Sequence, residues 1–78
     1  MRFAGKDYEA LIGSDVYRDG MYLEVREQDG LDIAEVFYAD ADGSMVLTTF
    51  GRPVPLPLVE WMIGVAKERL PPMRPEPN

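Results

Sequence analysis

Apolar and polar residues alternate along most of the chain. Met21, Leu23 and Val25 are spaced by two, as are Ala34, Val36 and Tyr38, and then Met45 and Leu47. This is the period of a strand with one buried face. Asp-Gly dipeptides at Asp19-Gly20, Asp29-Gly30 and Asp42-Gly43 punctuate these segments. Asp-Gly between alternating segments is a strong hairpin signal, because both residues tolerate positive φ. The pattern predicts four strands, at 14–18, 21–28, 31–39 and 44–50, joined as an antiparallel meander.

Turn lengths set the register. A two-residue loop at Asp29-Gly30 places Leu23 opposite Val36 and Val25 opposite Ala34. A four-residue loop from Asp40 to Gly43 places Leu47 opposite Val36 and Met45 opposite Tyr38. A two-residue loop at Asp19-Gly20 places Val16 opposite Leu23. One face then gathers Val16, Leu23, Val36 and Leu47, and a slip of one residue would scatter them. The other face receives Asp15, Glu24, Glu35 and Thr48 in one row and Tyr17, Tyr22, Phe37 and Val46 in the next, with Arg26, Ile33 and Phe50 beyond.

The period changes after Phe50. Pro53, Pro55 and Pro57 exclude a central strand and predict an extended connector, and Pro57 suits the opening of a helix. That helix is expected to end near Leu70, before Pro71-Pro72. Leu58, Trp61, Met62, Val65 and Ala66 form its apolar side. Val59, Ile63 and Leu70 widen the arc to roughly 200°, against the ~100° of an ordinary surface helix. The excess calls for a second cover, either the N-terminal segment or another copy of the chain. Residues 5–13 read as a short helix with Tyr8, Leu11 and Ile12 on one side. The expected architecture is α+β: one domain over 1–70, with a C-terminal helix on one sheet face, a short N-terminal helix and a disordered Pro-rich tail over 71–78.

Composition removes most chemistry. The chain has 78 residues, no cysteine and no histidine. A domain this short buries only about 60% of its unfolded surface, and no disulfide can staple it. Without histidine it lacks the commonest general base and the commonest metal ligand. Its serines, Ser14 and Ser44, have no base to activate them. Tyr38 to Ser44 superficially suggests a calcium loop, but with Gly43 at the loop glycine Tyr38 and Thr49 fall where carboxylates are needed. No cofactor and no metal site is implied. The net charge of −6 disfavours nucleic acid and favours a basic partner. No apolar run reaches the ~18 residues of a membrane span, and Met1 to Ala10 lacks a signal-peptide core, so a cytoplasmic protein without a membrane partner is expected.

What remains is the second sheet face. Like charges directly opposite one another are destabilising, so an acidic row beside aromatic rings suggests a surface that a basic protein covers. Arg26 could instead neutralise Glu24 or Glu35. In size, acidity and lack of catalytic side chains the chain looks like small bacterial immunity proteins and phage-encoded inhibitors. That likeness covers no motif and transfers no residue. The expected function is non-enzymatic sequestration of a basic protein through Asp15, Tyr17, Tyr22, Glu24, Glu35 and Phe37. A homodimeric assembly module is the alternative, and a carboxylate enzyme using Glu24 and Glu35 is a third.

Overall fold

The computed structural model describes residues 1–72. Among them the chain forms five strands and one helix: β1 (Arg2–Phe3), β2 (Lys6–Asp15), β3 (Gly20–Glu27), β4 (Asp32–Ala39), β5 (Met45–Thr49) and α1 (Leu56–Arg69). The strands make one antiparallel sheet in sequence order. The α+β class and the meander are as expected; the strand count and the N-terminal helix are not. The part of the Pro-rich tail from residue 73 onward lies outside the described residues.

The expected N-terminal helix is strand β2. Tyr8 and Ile12, four apart, satisfy a helical period and a strand period equally. Strand pairing decides between them: Tyr8 and Ile12 face the core while Leu11, the third residue of the supposed helical stripe, is exposed on the other face. Ala4 and Gly5, both at positive φ, close the short β1–β2 hairpin, as a two-residue type I′ loop requires.

Each Asp-Gly turn works differently. Asp40 to Gly43 is the four-residue loop the spacing predicts; Ala39 N–H donates to Ser44 O at 2.9 Å, and Gly43 has φ 72°. At Asp29-Gly30 the loop has three residues, since Glu27 N–H donates to Leu31 O and Gly30, at φ 94°, takes the left-handed position. A bulge then leaves Ile33 without a partner in β3, so Val25 still meets Ala34 and Leu23 still meets Val36. Loop and bulge offset one another, and the expected core register holds.

Asp19-Gly20 is where the reading fails. The loop spans Val16 to Asp19, Asp15 pairs with Gly20, and Ile12 rather than Val16 lies opposite Leu23. Asp19 holds a positive φ of 52°, but Gly20 already belongs to β3. A Cβ on Gly20 would collide with the Tyr38 carbonyl oxygen and the Phe37 ring, so this glycine serves close approach rather than turning.

α1 lies across one face. Pro55 ends the connector in an extended conformation, and its carbonyl accepts from Leu58 and Val59 N–H at 3.0 and 3.2 Å. Lys67 and Arg69 in the last turn suit the helix dipole. Leu58, Met62, Ala66 and Leu70 are buried against Leu23, Val25, Ala34, Val36 and Tyr38. Each large aliphatic side chain so buried contributes about 1.5–3 kcal/mol. Trp61 and Val65 pack on the near side of this core together with Phe3 and Ile12; the Trp61 and Phe3 rings are 6.3 Å apart. The N-terminal segment therefore covers one flank of the wide apolar arc. Ile63 and Leu56, on the other flank, stay 43% and 68% exposed.

Candidate functional site

Among the described residues no element covers the sheet's second face, and the rows on it follow from pairing. Leu11, Glu24, Glu35 and Thr48 occupy adjacent strands in one row; Gly13, Tyr22, Phe37 and Val46 occupy the next. Tyr22, Glu24, Glu35 and Phe37 thus share a face in the expected register. Asp15 and Tyr17 do not join these rows. The longer β2–β3 loop shifts β2 by four residues, an even number, so facing is kept but every partner changes. Leu11 takes the place expected for Asp15 and Gly13 that expected for Tyr17. Asp15 sits at the end of β2, and Tyr17 projects from the loop at 96% exposure.

The acidic pair is not bare. Arg18, also on that loop, folds back over the face. Its Nη1 and Nη2 donate to the Glu35 carboxylate, both at 2.9 Å, and its Nε donates to Asp15 Oδ2 at 2.6 Å. Its guanidinium carbon lies 4.2 Å from the Phe37 ring centroid. Bidentate pairing with a carboxylate, a second carboxylate and an aromatic plane together are the full set of interactions that favour arginine over lysine. Glu24 is paired separately, accepting from Arg26 Nη2 at 2.9 Å. Adjacent carboxylates on β3 and β4 are thereby tolerated because each has its own guanidinium.

Asp15 is the pivot of this arrangement. Its Oδ1 accepts from Tyr17 and Arg18 N–H at 3.0 and 3.2 Å, which folds the loop, while Oδ2 orients Arg18. The Arg18 side-chain hydrogen bond, helped by these backbone donors, holds the Asp15 carboxyl below the usual carboxylate range. Glu35 and then Asp15 hold the Arg18 guanidinium above its ordinary value. Among the described residues no group of three or more acids is placed to bind a metal ion.

Arg18 and Leu11 were not among the residues expected at the site. Asp15 as the first residue of a turn, with a glycine at the start of the next strand, was the available signal for the longer loop. Nothing local indicated that Arg18 would cross to Glu35, 17 positions away. Comparison with protein-family models, curated proteins and solved structures gives no match. No helix among the described residues is long and apolar enough to cross a membrane.

Proposed function

We propose that the chain is a non-enzymatic binding protein that holds a basic protein partner on the open face of its sheet. The observation that carries this reading is the guanidinium seat formed by Glu35, Asp15 and Phe37. Arg18 fills it from an exposed loop whose neighbours Val16 and Tyr17 are 77% and 96% exposed. An arginine of a partner protein has the same chemistry and would exchange with Arg18. Tyr22, Leu11 and Val46 supply apolar surface beside the seat, and Glu24 with Arg26 lies next to it. With both carboxylates engaged by guanidinium groups, the face favours binding over acid–base catalysis. Inhibition of a protein with a basic active surface, in the manner of immunity proteins, is the role that fits best.

Calorimetry with an arginine-rich peptide tests it. Arg18→Ala empties the seat and is expected to bind the peptide about tenfold tighter than the native chain. Adding Glu35→Gln to that variant should abolish the gain. Equal affinity across all three proteins would refute the proposal.

A further inference from the structure

β5 is the edge of the sheet, and it lacks the devices that usually protect an edge. Its sequence, Met45–Thr49, has no charge and no proline, and its pairing with β4 has no bulge. Every residue in it is exposed. At the opposite edge, β1 covers the start of β2, and Glu9 and Asp15 carry charge.

The free hydrogen-bonding groups can be assigned. Ala39 N–H donates to Ser44 O and Phe50 N–H donates to Ile33 O, so the even-numbered residues of β5 bond to β4. By the alternation of an antiparallel ladder, Met45, Leu47 and Thr49 turn their N–H and C=O groups outward. The same residues lie opposite Tyr38, Val36 and Ala34, so their side chains are on the helix-bearing face. Beside them runs an apolar groove of about 150 Å³, lined by Val36, Met45, Leu47, Ile63, Ala66 and Lys67. Leu56, Glu60, Ile63 and Lys67, spaced by four, three and four, form one stripe of α1 on this flank.

We propose that this edge is a homodimer interface, with β5 pairing antiparallel to β5 of a second copy about a two-fold axis at Leu47. Leu47 then meets the partner's Leu47, and Met45 meets the partner's Thr49. All three outward-facing residues find backbone partners, because each such pair exchanges both its bonds. The two-fold runs perpendicular to the sheet, so both helices lie on one side and antiparallel. Glu60 of each then faces the partner's Lys67, with Ile63 between them. This arrangement is self-complementary in charge, as an isologous interface requires. The interface joins two sheets into one and leaves both open faces on the same side, giving two guanidinium seats per dimer. It stands independently of the binding function proposed above.

Sedimentation equilibrium over the micromolar range is expected to give twice the 8.8 kDa chain mass. Leu47→Lys, which sets a charge on the edge, should yield a folded monomer. Lys67→Glu should weaken the dimer about tenfold, and Glu60→Lys with Lys67→Glu should recover it to within about threefold. Glu60 and Lys67 are two turns apart in one helix, so recovery reports contact between copies. If Leu47→Lys does not fold, amide exchange on the native chain decides: Leu47 and Thr49 N–H should be protected, more so at higher concentration. A native chain that stays monomeric at about 500 μM, a folded Leu47→Lys dimer, or free exchange at Leu47 in the dimer would each overturn the proposal.

Discussion

At Gly20 a hydrogen in place of a methyl group lets β3 begin against β4. Gly20→Ala would force the new carbon onto the Tyr38 carbonyl oxygen and the Phe37 ring. The expected loss is about 1–3 kcal/mol, read from urea unfolding; an unchanged midpoint would contradict the close approach. Asp15 makes a second prediction. Its folded pKa is depressed, so its contribution to stability is complete above the unfolded value of 3.8 and disappears as pH falls through the folded value. Asp42, whose carboxylate accepts first from Ser44 N–H, acts in the same sense. Thermal stability should therefore decline with acid below about pH 4, and Asp15→Asn should flatten that decline. Tyr22, Glu24, Glu35 and Phe37 were legible as face-sharing residues because their strands are short and fixed by turns. Arg18 was not, because a long side chain on a loop obeys no period.

Among the elements, β3, β4 and β5 were legible and β2 was not. The aliphatics of the first three recur strictly by two, and even a mistaken loop length at Asp29-Gly30 was offset by the bulge at Ile33. β2 carries Tyr8, Leu11 and Ile12, a set that fits a helix, and only pairing with β3 selects the strand. α1 was legible from Pro57 to Leu70 because prolines bracket it. The helix also holds the fold together, since among the described residues the sheet has no other layer. Met62 is fully buried in its middle, and Met62→Ala should cost about 2–5 kcal/mol. For a domain whose total stability is expected near the low end of 5–15 kcal/mol, that leaves a large unfolded fraction at 37 °C. Near-UV circular dichroism would show it, and a native-like melting curve would mean that the helix contributes less than its burial implies.

At the scale of the whole fold, a single sheet with a helix on one side leaves the other side uncovered among the described residues. Composition indicated an acidic protein without histidine or cysteine. Pairing refined that reading: the acids on the open face already hold guanidinium groups, three carboxylates against two arginines, and most of the net charge of −6 arises elsewhere. The proposed association with a basic partner should therefore combine long-range attraction, weakened by salt, with a local exchange of one arginine for another. The exchange can be observed directly by following the Arg18 Nε–H resonance by NMR while an arginine-rich peptide is added. In the free protein this proton should be shielded from solvent exchange by Asp15, and the side chain shifted by the Phe37 ring. Release of Arg18 in step with peptide binding is the predicted result. A peptide that binds while the Arg18 signals stay unchanged would show that the seat formed by Glu35, Asp15 and Phe37 is purely internal.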